Sequence, residues 1–516
     1  MAWPPRQWTA VRGTRGTRPA AVPTVPDRAG GMRGTPYPTL DGLVRAARSL
    51  VAARPGTLRL RVAGTSRAGE PLWLLSAGHG SRQVLTVAGA HANEPVGGAS
   101  SLRLAGEFAR DPAVLEALDC TWNLLLCLDP DGTRLGERWM TARPPGAPSS
   151  EPESHEPHEP HEPHEPQEPQ EPQEPQEPQE PQEPREPYEL RGSHEPREPW
   201  TPTVEEYFRG FYRPDFGGHP EFPPAAGDPR PPIPESRALM ALIDDLRPVV
   251  QFSLHGVDVG GSFLQLTRSM PGVPEAFRAV VAELGVPLEH RPFDGMEWFV
   301  DSPGVLVRPE GAPDDDRDPS GFTSQSTWLY PMRYGAVSAV VEAPLWGVAA
   351  VGDPSPVADP ERAIARAADV LLSRTKELEE ALGGRAHRPP RDARGTPYYT
   401  AARELMDIGP GVVGTWTTYD ARGLGGSALA ATAGNAASLG IAARRIPLRA
   451  VAMMRQAFTD APEGTAALDA LVRDWSHELT TTFGARWLPV HRQTSLHLRT
   501  MRHVAARLLT GRPPAR

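Results

Sequence analysis

Cysteine is nearly absent: Cys120 and Cys127 are the only two in 516 residues. They lie seven residues apart in one apolar run. As a strand, that run would hold them more than about 20 Å apart on opposite faces, too far for a disulfide. Nothing therefore demands an oxidising compartment. Lysine is scarcer still, since Lys376 is the single lysine among 54 basic residues. With abundant Ala, Gly and Pro, this reads as coding bias rather than function. Long apolar stretches are missing as well. No run reaches the roughly 18 uncharged apolar residues of a membrane helix, and the amino terminus has no apolar core of a signal peptide. The expectation is a cytoplasmic protein with no membrane partner.

A basic surface is also lacking. The formal charge is −10, but residues 151–200 alone hold sixteen Glu against three Arg, a net of −13. The remaining chain stands at about +3, near neutral for its length. No nucleic-acid partner is implied, nor a globally acidic surface that steers basic ones.

What is present is a pattern of short apolar runs alternating with helical periodicity. Residues 1–35 are rich in Arg, Pro, Gly and Thr and are expected to be disordered. Helical spacing begins at Leu40. L-R-L-R-V-A-G and P-L-W-L-L-S-A-G flank Thr65–Glu70 and predict a hairpin. Buried strands are expected at 83–90, 121–128, 249–254 and 336–341, with helices at about 95–110, 235–246, 273–284 and 359–380. This is an α/β pattern with a mixed central sheet flanked by helices. A Pro/Arg/Gly linker at 386–395 and a C-terminal helical extension over 396–516 complete it. Within 146–203, repeats of His-Glu-Pro and Gln-Glu-Pro favour extended polyproline conformation. We read this tract as an insertion in a surface loop of one domain, 36–385, because such loops tolerate length at small entropic cost.

Three strand ends carry the candidate chemistry. In V-L-T-V-A-G-A-H-A-N-E-P, His91 and Glu94 stand where a buried strand gives way to a helix. In V-V-Q-F-S-L-H-G, His255 ends another, and in A-V-S-A-V-V-E-A-P, Glu342 ends a third. Carboxyl ends of strands are where α/β sheets place their sites. Two His and one Glu with a fourth position open is the pattern of catalytic zinc. A lone buried carboxylate such as Glu342 needs a partner or a task. His477-Glu478 starts like H-E-x-x-H, but position 481 is Thr. The repeat histidines, His155 to His164, stand too far apart along an extended chain to close on one ion.

With H-A-N-E at 91–94, D-P-D-G at 129–132, P-E-S-R-A-L at 234–239, S-L-H at 253–255 and V-V-E-A-P from 340, the sequence resembles the zinc metallocarboxypeptidases of the carboxypeptidase A type. The resemblance covers about 36–385 apart from the repeat tract. It implies an eight-stranded mixed sheet and a zinc-dependent hydrolase of peptide or peptide-like amides. His91, Glu94 and His255 would be ligands of one Zn2+, and Glu342 the general base. It also implies an oxyanion arginine, for which Arg138 or Arg143 is the candidate, and Arg213 for the substrate carboxylate. Tyr330 or Tyr334 would be the tyrosine over the substrate. Two departures stand out. The family's asparagine before that arginine is Tyr212, and the aspartate that orients the first histidine is Gly210. Two other readings share parts of this pattern. One is an amidohydrolase of the aspartoacylase or succinylglutamate-desuccinylase kind, and the other a non-catalytic binding protein with a proline-rich recruitment loop.

Overall fold

A computed structural model describes residues 37–141, 201–224, 228–296, 298–308, 326–418, 426–459 and 465–510. The expected disorder of 1–35 and most of the repeat tract lie outside these. Among the described residues, the strands are β1 (Leu58–Thr65), β2 (Pro71–Ala77), β3 (Arg82–Ala88), β4 (Cys120–Leu125) and β5 (Val250–His255). Next come β6 (Val259–Gly260), β7 (Phe263–Leu266), β8 (Phe299–Ser302), β9 (Val305–Val307), β10 (Val337–Glu342), β11 (Trp346–Gly347) and β12 (Arg486–Trp487). Nine form a mixed sheet in the order β1-β2-β4-β3-β5-β10-β7-β9-β8, one strand more than the resemblance implied. β4, β3, β5 and β10 run parallel at its centre, while the β1–β2 hairpin and β7 are antiparallel.

Alternation along the strands sorts side chains between two helical layers. Val250, Phe252 and Leu254 of β5, with Val337, Ala339 and Val341 of β10, face a core built with the helices Leu40–Ala53, Val96–Arg110 and Val273–Leu284. Leu85 and Val87 of β3 face the other way, against the helix Pro234–Leu246. On that second face β5 carries Gln251, Ser253 and His255, polar residues that are all buried. The alternation inside V-Q-F-S-L-H thus separates core from site.

The helices expected at the C-terminal end are present, but they are not an appendage. Helix Val490–Thr510 contributes Leu496, Leu498, Met501, Val504 and Leu509 to the same core as the sheet. Its His497 lies buried between Ser100 and the carbonyl of His255, at 3.0 Å from each. Burial lowers its pKa to about 3, so the ring is neutral. Helix Ala433–Ala457 packs with Tyr207, Phe211 and Trp346. Tyr37, fully buried, donates to Gln493 at 2.6 Å and ties the first described residue to the last helix. The described residues before the repeat tract and from Thr201 onward belong to one compact unit. Both cysteines are buried and free, and burial pushes their thiols up to about 11 and 12. Among the described residues, no helix is long and apolar enough to cross a membrane.

Asp129 of the D-P-D-G motif caps the short helix Pro130–Gly136 by accepting from Gly132 N at 3.0 Å. Its other oxygen is buried without a partner. Burial pushes its carboxyl up to about 7, opposed by Gly132 N–H and Arg67. An acid with a folded pKa above its unfolded value binds its proton more tightly when folded. Its contribution to stability is therefore lost as pH rises between about 4 and 7. Asp129→Asn keeps the cap and removes the titration. Relative to wild type, the variant should gain about 1.4 kcal/mol per pH unit across that window and level off above it. Urea unfolding of both proteins at pH 5, 6, 7 and 8 measures this, and a pH-independent difference would refute it.

Candidate metal centre

The three strand ends converge. β3 leads into His91 through Gly89, whose φ is +60° and whose added Cβ would lie 2.9 Å from Cys127 Sγ. The chain then turns at Pro95 into the helix Val96–Arg110. Gly97 lets that helix approach the sheet, since a Cβ there would fall 2.8 Å from the Leu254 carbonyl. His255 closes β5, and Glu342, at the end of β10, is its parallel register partner on the same face.

Donor atoms of His91, Glu94 and His255 meet at one point. His91 Nδ1 lies 2.6 Å from Glu94 Oε1, and His255 Nδ1 lies 3.0 Å from Glu94 Oε2. The two Nδ1 atoms face each other at 3.1 Å. Gly256 N donates to Glu94 Oε2 at 3.0 Å and fixes that carboxylate. In a tetrahedral zinc shell with bonds of about 2.0–2.2 Å, neighbouring donors stand roughly 3.3–3.5 Å apart. The observed spacings are slightly tighter, so a single zinc fits with a small expansion. All three residues are buried, and two imidazole nitrogens turned toward one another beside a carboxylate are an arrangement a cation relieves.

Electrostatics set the two histidines apart. Burial, Arg213 and His255 hold His91 well below the usual histidine range, in the neutral form a metal requires. For His255, burial disfavours the charged ring, but Glu221 and Glu94 outweigh it and raise the pKa well above that range. Glu94 is lowered despite its burial, by His255, Arg213 and Gly256 N–H. Burial pushes Glu342 up to about 8, with Glu94 adding to the shift and His255 opposing it. A divalent cation at the triad would draw that value back down.

Arg213 also reaches the triad, with Nη2 2.9 Å from His91 Nε2 and Nη1 3.6 Å from Glu94 Oε1. Guanidinium only donates, so His91 Nε2 accepts here and Nδ1 carries the proton given to Glu94. Arg138 is exposed at the start of the short helix Arg138–Thr141, within electrostatic reach of Tyr398. Arg143 lies outside the described residues. Tyr330 is not brought to the triad. It precedes the amino end of β10, whereas Glu342 lies at the carboxyl end. Its hydroxyl donates to Asp244 at 3.0 Å, Tyr334 donates to the other oxygen at 2.7 Å, and Arg333 stacks on the Tyr330 ring. Both tyrosines are thus held against the helix Pro234–Leu246.

Sequence reasoning missed His219 and Glu221. With His91 they form a second group of donor atoms within 4.8 Å of one another, also buried. They follow the repeat tract in G-G-H-P-E-F, and their i, i+2 spacing was the available signal. Arg449 of the helix Ala433–Ala457 was missed too. It clasps the buried Asp258, three residues beyond His255, donating from Nε and Nη2 to the two carboxylate oxygens.

The zinc carboxypeptidase family model (peptidase M14) matches residues 43–162, which include His91 and Glu94. Similar solved structures include the metallo-carboxypeptidase of Burkholderia cenocepacia, 14% identical, with 58% of each chain covered and a TM-score of 0.28. The carboxypeptidase A of Helicoverpa armigera is 13% identical, over 60% of this chain and 65% of that one, with a TM-score of 0.31. A metallo-carboxypeptidase of Pseudomonas aeruginosa is 12% identical, over 60% and 61%, with a TM-score of 0.30. The chain thus spans less than two thirds of the length of each of these three. A search of curated proteins found no match.

Proposed function

We propose that the protein is a zinc-dependent hydrolase of the metallocarboxypeptidase type, which removes residues from the carboxyl end of a peptide or peptide-like amide. The observation that carries this is the meeting of His91, Glu94 and His255 donor atoms beside Glu342. Zinc held by those three residues supplies Lewis acidity to the scissile carbonyl and the attacking water. Glu342 takes the proton from that water and passes it to the leaving amine. An ion at the triad needs the Nδ1 lone pair of His91, so that ring's proton moves to Nε2 and Arg213 must release it. The freed guanidinium, one quarter exposed, is then available to the substrate's terminal carboxylate. Tyr212, packed edge-on against Tyr398 at 5.1 Å, stands beside it where the family has asparagine.

The test uses zinc-loaded protein with three substrate classes: free peptides, peptides amidated at the carboxyl end, and N-acyl amino acids. Release of the last residue from free peptides alone is expected, with loss on chelation. Turnover of N-acyl amino acids alone would move the protein to the aspartoacylase kind, and turnover of none would overturn the reading. His91→Ala should lose stoichiometric zinc by metal analysis. Retention of one zinc per chain would show a different ligand set.

A further inference from the structure

We propose that Glu221 is a positioning residue that orients both histidine ligands from behind, taking the place of the aspartate absent at position 210. The inference rests on the zinc reading above and goes beyond it. Its basis is one buried carboxylate with two separate tasks for its oxygens. Glu221 Oε1 accepts from Trp328 Nε1 at 2.8 Å and from Ser253 Oγ. Those two donors fix the plane of the carboxylate. Oε2 has no hydrogen-bond donor on it and faces the outer edges of the two rings, 3.2 Å from His255 Nε2 and 3.8 Å from His91 Nε2.

The relay through Ser253 settles the tautomer of His255. Ser253 Oγ donates to Glu221, so at 2.9 Å from His255 Nε2 it accepts the proton on that nitrogen. With Nε2 held as donor, Nδ1, which faces Glu94 Oε2 at 3.0 Å, is the nitrogen left to ligate once an ion displaces its proton. His91 is served less directly. Its Nε2 faces Arg213 in the arrangement described, and once that nitrogen carries the proton, Glu221 Oε2 is the carboxylate oxygen on its side.

The local backbone explains why the task falls to this position. Gly210 ends the helix Val204–Arg209, and an added Cβ there would lie 2.8 Å from Trp139 N. No aspartate fits without moving that chain. Eleven residues later, Glu221 brings Oε2 to 3.8 Å from His91 Nε2. Thr327 N bonds the Glu221 carbonyl at 2.8 Å, and Pro220 O accepts from Ser236 at 2.7 Å, so the segment is held at both ends.

Carboxylates behind metal-bound histidines typically contribute 10- to 100-fold in metal affinity. Glu221→Gln presents one oxygen and one amide, and with the oxygen held by Trp328 and Ser253 the amide opposes His255 Nε2–H. Zinc affinity, measured by chelator competition on the intact chain, should fall about 10- to 100-fold. The visible spectrum of the cobalt-loaded protein should change with it. Glu221→Asp should recover part of the affinity, and Ser253→Ala, which breaks the relay but leaves the carboxylate, should show a smaller fall. A folded Glu221→Gln variant with wild-type zinc affinity and cobalt spectrum would overturn the role. So would a lower melting temperature without an affinity change, which marks a structural residue only. Should Glu221→Gln fail to fold, wild-type affinity in Ser253→Ala overturns it instead. Two zinc ions per wild-type chain, falling to one on Glu221→Gln, would overturn it by making Glu221 itself a ligand. A wild-type protein that takes up no zinc would overturn the metal-site reading, a result distinct from all of these.

Discussion

Glu342→Gln is expected to bind one zinc per chain as wild type does and to lose turnover by roughly a hundred- to ten-thousand-fold, the range for a general base. Retention of zinc follows from geometry. His91, Glu94 and His255 meet through their own donor atoms, and the Glu342 side chain makes none of those contacts. Loss of turnover follows from chemistry, because the amide cannot accept a proton. The substitution is nearly isosteric and removes an acid that burial holds largely protonated near neutral pH without metal. The folded state should therefore be no less stable than wild type. Metal analysis, steady-state rates and thermal melting test the three parts separately. Wild-type-like activity would remove Glu342 from the mechanism, and loss of zinc would make it a ligand.

Removal of residues 396–516 is expected to abolish folding of the remaining chain. The helix Val490–Thr510 covers apolar side chains of the central sheet with Leu496, Leu498, Met501, Val504 and Leu509, all buried. At about 1.5–3 kcal/mol for each large apolar side chain, their loss alone approaches roughly 10 kcal/mol. That is the scale of the whole stability of a domain. The electrostatic cost points the same way. Asp258 is fully buried, paired with Arg449 and approached by Arg445 at 3.8 Å, both on the helix Ala433–Ala457. Stripping these away leaves an uncompensated charge three residues from His255, worth about 3–5 kcal/mol when one partner of a buried pair is lost. The truncated chain should be insoluble or show no cooperative melting. A soluble truncation that melts cooperatively and binds zinc would make the C-terminal helices dispensable.

Much of the fold was readable because it depends on local periodicity. The β1–β2 hairpin, the apolar strands β3, β4, β5 and β10 and the helices between them each bury a face set by spacing alone. The strand-end positions of His91, Glu94, His255 and Glu342 followed from those runs. Tyr330 is placed differently. Near a motif in sequence, it could not be aimed from it, because the direction of a loop side chain depends on partners elsewhere. For Tyr330 that partner is Asp244, on a helix 86 residues earlier.

Short-range pattern, then, was enough to specify which strands end in the candidate metal ligands and to show that the chain's negative charge lies in one repeat tract. Tertiary packing decided the rest. It turned an expected extension into a layer of the core, with His497 on the carbonyl of His255. It also brought Glu221, Ser253 and Trp328 together behind the triad from three segments. Contacts between segments tens to hundreds of residues apart leave no period in the sequence. They arise only when the sheet has aligned its strand ends and the helices have closed over it.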